Sequence, residues 1–236
     1  KLYKKILNIN PNDPQSNFLL GTLSAQTKQF DVAKKLLNRS IEINPNYADA
    51  HNNLGNVMKE LGEHQKAMGC YEKAITIQPN YADAHYNLGV VLKELGEYQK
   101  AISCYEKAIQ INPNYANAHN NLGNVLKELG EHQKAMGCYE KAITIQPNFA
   151  DAHYNLGVVL QELGEYQKAK SFYQIAVKNE PENLAHLYNL SSLDEEILHP
   201  NLKNKIYEII ESSNTNKKNI AYGNFLLSRY EQKDKK

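Results

Sequence analysis

The stretch GEHQKAMGCYEKAITIQPN occupies residues 62–80 and returns unchanged at residues 130–148. The two copies lie 68 residues apart, which is twice a shorter period of 34 residues. One proline recurs at that shorter step, at Pro11, Pro45, Pro79, Pro113, Pro147 and Pro181. A constant period of this size is typical of solenoid or propeller proteins, in which each unit packs on its neighbours.

Composition excludes several classes of protein. The chain has 236 residues, of which 42% are hydrophobic and 22% charged, as in a folded rather than a disordered protein. Its net charge is +1 and no long basic block is present, so we expect no nucleic-acid partner. No apolar run is long enough to span a membrane and no signal peptide is visible, so we expect no membrane partner.

Three cysteines also follow the repeat, at Cys70, Cys104 and Cys138. An odd number at repeat spacing does not suit a disulfide framework and favours a small buried residue in a reducing compartment. The expected location is therefore cytoplasmic. The chain begins at Lys1, and KLYKKILNINP is typical of the end of a helix, so we expect a fragment of a longer protein.

Each unit is predicted to form two helices, as residues 79–112 illustrate. Asn80 is a candidate N-cap, with Asp83 three residues later in capping-box spacing. An apolar stripe at helical spacing follows, made of Leu88, Val91, Leu92 and Leu95. Gly96 suits the left-handed position after a helix, and Glu97 opens a second helix at its positive dipole end. A single helix pair has one apolar face, so stacking against neighbouring pairs must bury it.

The recurring pattern Leu88-Gly89, Ala101, Tyr105, Ala108, Pro113 resembles the tetratricopeptide repeat (TPR) family. This resemblance implies an all-α fold, a right-handed superhelical solenoid of antiparallel helix pairs. It also implies a concave groove, lined by the first helix of each pair, that commonly holds an extended peptide or a partner helix.

The period divides the chain into predicted segments. Residues 1–10 are the second half of a truncated repeat, 11–44 a degenerate repeat, and 45–78, 79–112, 113–146 and 147–180 four regular repeats. Residues 181–236 form a divergent helical cap or linker toward a further C-terminal region, with two more helices in NLKNKIYEIIESS and NIAYGNFLLSRYEQ. Within it, EEILHPNLKNKIYEIIESSNTNKKNIAYGNFLLSRYE (residues 195–231) resembles the bridge between TPR arrays and the sulfotransferase domain of certain bacterial proteins.

One groove position is an amide in every repeat: Asn53, Asn87, Asn121, Asn155 and Asn189. Two flanking positions alternate, giving Asn52 with Asn56, Tyr86 with Val90, Asn120 with Asn124, and Tyr154 with Val158. An asparagine side chain can donate to and accept from one peptide unit. The series, here called the Asn ladder, resembles that of O-linked N-acetylglucosamine transferases, which implies binding of an extended backbone. The alternative is a solvated polar face, or amides that bond between neighbouring helices.

No catalytic, cofactor or metal site is predicted from the residues. Four of the eight histidines occupy one repeat position and are expected to pack, namely His51, His85, His119 and His153. No cysteine or histidine cluster has zinc spacing, and no phosphate-loop or nucleophile-elbow motif occurs.

The sequence therefore predicts a non-enzymatic interaction module that binds an extended peptide or partner protein along the Asn ladder and its flanking residues. Two alternatives stay open. One is the substrate-recognition arm of a larger transferase, a sulfotransferase or glycosyltransferase whose catalytic domain lies elsewhere. The other is a structural spacer, with self-association through the ends of the solenoid.

Overall fold

The computed structural model describes residues 10–212 and 215–233, the last two by their backbone alone. The predicted half-repeat at residues 1–10 lies outside these residues, apart from Asn10. The described part contains 13 α-helices, one short 3₁₀ helix and no strand. The helices are α1 Pro14–Gln26, α2 Phe30–Ile43, α3 Ala48–Glu60, α4 His64–Ile77, α5 Ala82–Glu94, α6 Tyr98–Ile111, α7 Ala116–Glu128, α8 His132–Ile145, α9 Ala150–Glu162, α10 Tyr166–Asn179, α11 Leu184–Leu193, α12 Pro200–Glu211 and α13 Lys217–Lys233.

The chain forms two compact units, one ending at Val125 and the other beginning at Leu126. In the first unit α1 packs on α2, α3 on α4 and α5 on α6, and α2 and α4 also pack on the first helix of the next pair. This arrangement is the all-α array of helix pairs that the period predicts. Fully buried side chains at repeat positions line the contacts, among them Ala67, Tyr71, Ala74, Ala101, Tyr105 and Ala108.

Glycine is required where the two helices of a pair touch. A Cβ atom added at Gly55 would lie 2.5 Å from Cε1 of Tyr71, and one added at Gly89 would lie 2.8 Å from Cε1 of Tyr105. Both distances are shorter than a van der Waals contact, so the tyrosine ring occupies the volume that a side chain would fill. The pairing of helices therefore depends on a small residue facing a large one, a tyrosine in these two pairs and Leu37 opposite Gly21 in the pair α1–α2.

The starts of the first helices differ from the prediction at Asn80. The N-cap of α5 is Tyr81, and no side chain caps that helix. The backbone turns first, with Tyr81 N–H donating to the carbonyl of Gln78 at 3.1 Å, which places Asn80 before the helix. The helix start is held by His85, whose Nε2 lies 3.0 Å from the carbonyl oxygen of Pro79. The other predicted packing histidines make the same contact, His51 with Pro45, His119 with Pro113 and His153 with Pro147.

The turns inside the pairs confirm the prediction for Gly96, whose φ is +76°. Its counterparts Gly62, Gly130 and Gly164 also have positive φ, and Lys28 takes a φ of +58° in the degenerate first repeat. Leu95 was predicted to belong to the apolar stripe of the first helix. This was wrong, because Leu95 follows the last residue of α5 and is 39% exposed.

In the second unit α8 packs on α9, α9 on α10, and α10 on α11. The two further helices predicted near the end of the chain are present as α12 and α13, and α13 packs on both α11 and α12. Their apolar core consists of Leu184, Leu187, Leu198, Ile206, Leu226 and Tyr230. Across the described residues we find no helix with the length and apolar character needed to traverse a bilayer.

Candidate functional site

The Asn ladder of the first unit lies on the first helices of three successive pairs. Asn53, Asn87 and Asn121 are half-buried and occupy the same position of α3, α5 and α7. Each side-chain amide donates to the preceding repeat. The Nδ2 atom of Asn53 lies 3.0 Å from Oγ1 of Thr22, that of Asn87 3.0 Å from Oδ1 of Asn52, and that of Asn121 2.9 Å from the hydroxyl of Tyr86.

The second unit repeats this arrangement. Asn189 of α11 donates its Nδ2 to the hydroxyl of Tyr154 at 2.8 Å and to the carbonyl of Ala185 at 3.2 Å. Asn155 holds the same position of α9 and is also half-buried. The amides therefore bond between neighbouring helices, which is one of the two interpretations that the sequence left open.

Three flanking residues accept ladder bonds, namely Asn52, Tyr86 and Tyr154, whereas the bond from Asn53 goes to Thr22. Asn52 is only 4% exposed and Asn120 5%, so neither offers much surface to a ligand. Tyr86 is half-buried against Tyr105 and Tyr115, with ring centroids 5.9 and 4.9 Å away. The alternation of asparagine and tyrosine at this position therefore preserves an oxygen acceptor, and that shared property was the signal for the inter-repeat bond.

Asn56 and Asn124, at the second flanking position, make different hydrogen bonds. The Oδ1 atom of Asn56 accepts a hydrogen bond from the buried Tyr71 hydroxyl at 2.8 Å, so its acceptor faces the core of the pair. Asn124 lies near the ladder, where its Nδ2 donates to Oδ1 of Asn121 at 3.4 Å. The predicted site residues thus separate into a half-buried ladder and a supporting layer around it.

The ladder keeps acceptor capacity. Nothing among the described residues donates to Oδ1 of Asn87 or Asn189, while Oδ1 of Asn53 receives one long contact of 3.4 Å from Asn52. A side-chain carbonyl has two lone pairs, so each of these oxygens can accept a further hydrogen bond. Because the Nδ2 donors are bound inside the protein, the ladder presents acceptors at fixed positions.

Burial keeps the nearby ionisable groups neutral. Desolvation raises the pKa of Tyr86, and it raises the pKa of Tyr154 to about 12, so both phenols stay protonated at physiological pH. Burial likewise raises the pKa of the Cys70 thiol, and that of Cys104 to about 11. Since the thiolate is the nucleophile, these two thiols are poorly suited to covalent chemistry.

Family comparison identifies the repeat directly. Models described as tetratricopeptide repeat match residues 14–47, 36–68, 82–115, 104–136 and 150–183, and a TPR repeat model matches residues 56–96 and 123–164. The chain belongs to the tetratricopeptide repeat family. Comparison with curated protein sequences gives no match.

Several solved structures have a similar fold, and some of them are described as TPR proteins. The crystal structure of MamA is 29% identical with a TM-score of 0.62, covering 69% of this chain and 95% of MamA. PilF of Pseudomonas aeruginosa is 25% identical with a TM-score of 0.71, covering 77% of this chain and 84% of PilF. YrrB, described as a TPR protein with an unusual peptide-binding site, is 23% identical with a TM-score of 0.62, covering 80% of this chain and 97% of YrrB.

The two resemblances to transferases stay predictions. The matching family models are all TPR models, and their matches end at residue 183. The segment that resembles the sulfotransferase bridge lies beyond that residue, in α12 and α13.

Proposed function

We propose that this chain is a protein-interaction module that holds an extended peptide segment along its Asn ladder. The observation that carries the proposal is the row of half-buried asparagines in the first unit, whose Nδ2 atoms are bound to the preceding repeat while their Oδ1 atoms retain acceptor capacity. Asn189 has the same arrangement in the second unit. Oxygens fixed before binding lose little entropy when a ligand arrives, which favours affinity.

The proposed contact is one-sided. A peptide N–H donates to the ladder Oδ1, whereas a bond from Nδ2 to the peptide carbonyl would require breaking the inter-repeat bond. A net hydrogen bond contributes about 0.5–1.5 kcal/mol, and association costs several kcal/mol. A few ladder contacts therefore give weak binding. Ring contacts from Tyr86 in the first unit or from Tyr154 in the second, or a tethered partner, raise the affinity.

A solved structure with a similar fold supports a binding role. YrrB shows that a peptide-binding site can be built on such a fold, although its 23% identity transfers the fold alone. Peptide recognition by main-chain contacts needs a regular row of polar groups, which the 34-residue period supplies.

The experiment is a selection from a random peptide library against the chain, followed by affinity measurements on variants in matched pairs. Asn87→Ala and Asn52→Ala remove the same inter-repeat hydrogen bond, but only the first removes a half-buried ladder oxygen. Asn121→Ala and Tyr86→Phe form a second such pair.

We expect the selected peptides to lose much more affinity for Asn87→Ala and Asn121→Ala, which remove the ladder oxygen, than for Asn52→Ala and Tyr86→Phe, which only free the amide that carries it. Methylating individual backbone nitrogens of a bound peptide should also abolish its binding. Equal losses in both members of each pair would assign the ladder to stability alone and overturn the proposed contact.

A further inference from the structure

A cluster of metal-ligating side chains lies away from the Asn ladder, in the second unit. Potential ligand atoms of Asp151, Glu180 and His186 all lie within 4.8 Å of one another. They come from the start of α9, the residue after α10 and the start of α11. Three separate elements therefore bring one imidazole and two carboxylates together.

Two of the three cluster residues depart from the repeat, whereas Asp151 matches Asp49 and Asp83. His186 stands where the other repeats have alanine, at Ala50, Ala84, Ala118 and Ala152. Glu180 stands where they have an amide, at Asn44, Gln78, Asn112 and Gln146. Asn183, which contacts both Glu180 and His186, stands where three other repeats have tyrosine, at Tyr47, Tyr81 and Tyr115.

Because Asn183 replaces the tyrosine, Asp151 lacks the hydrogen bond that Asp83 has at the same repeat position. In the first unit the hydroxyl of Tyr115 donates to Oδ1 of Asp83 at 2.7 Å. In the second unit Oδ1 of Asp151 lies 3.6 Å from Nε2 of His186, which is beyond hydrogen-bond distance. Among the described residues neither Asp151 nor Glu180 forms an ion pair with a lysine or arginine.

The histidine is oriented as a ligand. His186 is 1% exposed, its Nδ1 atom has no hydrogen-bond partner, and its ring packs on Tyr154 with centroids 4.7 Å apart. Nδ2 of Asn183 donates to Oε2 of Glu180 at 3.1 Å, so this nitrogen faces Nε2 of His186 as a donor at 3.3 Å. A donor at that position indicates that Nε2 carries a lone pair, which is the form that binds a metal, and a bound metal would take the place of the Asn183 hydrogen bond at this atom.

We propose that Asp151, Glu180 and His186 bind one divalent transition-metal ion of the zinc class, which fastens α11 to α9 and α10. Imidazole nitrogen with carboxylate oxygen suits zinc, whereas magnesium and calcium prefer oxygen ligands alone. Tetrahedral zinc at its usual bond lengths sets ligand atoms about 3.3 Å apart. The 3.6 Å between Asp151 and His186 is close to that value, and the exposed carboxylate of Glu180 can rotate inward.

The repeat supplies matched variants. His186→Ala, Glu180→Gln and Asp151→Asn each introduce the residue that stands at the same position of another repeat, at Ala152, Gln146 and Asn117. These changes are therefore compatible with the fold, and circular dichroism and the metal-free unfolding temperature verify that. Zinc chloride is titrated into the chelator-treated chain by calorimetry, with manganese, magnesium and calcium chlorides as comparisons.

We expect one zinc ion per chain, and a fall in affinity of at least about tenfold in each variant, because even residues behind the ligands change metal affinity about 10–100-fold. Zinc should raise the unfolding temperature of the original chain and leave that of His186→Ala unchanged. No binding at millimolar zinc would overturn the proposal. Equal binding by the original chain and His186→Ala would also overturn it, since the zinc would then sit on other histidines.

Discussion

Two neighbouring helix pairs each bury a tyrosine at the same repeat position, but the hydrogen bonding of the two hydroxyl groups differs. In the pair α3–α4 the hydroxyl of Tyr71 donates to Oδ1 of Asn56 at 2.8 Å. In the pair α5–α6 Val90 takes the place of Asn56, and the hydroxyl of Tyr105 is buried without a hydrogen-bond partner. Both rings are fully buried, and burial raises the pKa of both phenols.

The difference separates what the ring does from what the hydroxyl does. Each ring fills the space above a glycine, and this contact is common to both pairs. In a third pair, α9–α10, the hydroxyl of Tyr173 donates to Oε1 of Gln161 at 2.7 Å. Gln161 lies one turn after the position that Asn56 holds in its own first helix. The apolar contact is therefore constant in these three pairs, while the polar partner changes or is absent.

The largest effect is expected from adding a methyl group beneath each ring. Gly55→Ala should lower the free energy of unfolding by about 2–3 kcal/mol through overpacking. Gly89→Ala should cost about 1 kcal/mol less, because its added Cβ is 2.8 rather than 2.5 Å from the ring and no hydrogen bond holds the hydroxyl of Tyr105. Urea unfolding followed by circular dichroism measures both values.

Gly69→Ala is the control for helix propensity. Gly69 lies within α4 and an added Cβ would meet nothing within 4 Å, so this change should stabilise the chain by up to about 1 kcal/mol. If Gly89→Ala proves as costly as Gly55→Ala, the hydrogen bond to Asn56 does not restrain the ring of Tyr71.

Removing the hydroxyl groups should change the free energy of unfolding in opposite directions. Tyr71→Phe loses a buried hydrogen bond and should cost about 1 kcal/mol. Tyr105→Phe removes a buried hydroxyl that has no partner and should be neutral or stabilise by about 1 kcal/mol. Thermal and urea unfolding of the two variants give the comparison, and a similar loss in both would show that Tyr105 has a partner in solution.

Much of this fold was predictable because the 34-residue period repeats the same packing problem. The turn at Gly96 and the packing of His85 follow from local rules, and both are as predicted. The start of α5 does not, because a backbone turn from Gln78 to Tyr81 places the N-cap at Tyr81, one residue after Asn80.

The candidate sites were less predictable, for a different reason. The ladder positions follow from the repeat, but the partner of each Nδ2 atom depends on the separation of adjacent helix pairs, which spacing along the chain does not contain. The cluster around His186 has no zinc-site spacing, since Asp151 and Glu180 lie on other elements. Its signal was the departure of several residues from their repeat positions within a few residues of Pro181.

The last experiment gives the hydroxyl of Tyr105 the hydrogen-bond partner that Tyr71 has, and the coupling free energy it measures is expected to be small. Val90→Asn places an amide where Asn56 stands in the preceding repeat. A double-mutant cycle with Tyr105→Phe isolates the new hydrogen bond from the loss of the valine side chain. We expect a coupling free energy of about 0.5–1.5 kcal/mol, the net value of one buried hydrogen bond.

The reverse cycle, Asn56→Val with Tyr71→Phe, should give the same coupling free energy from the opposite direction, because it removes the 2.8 Å bond that the first cycle creates. Both cycles are measured by urea unfolding at one protein concentration. Agreement between them would mean that the two repeat types differ at this position by one exchangeable hydrogen bond. A coupling near zero in the first cycle and not in the second would mean that α5 and α6 hold Tyr105 in a place that an amide at position 90 does not reach.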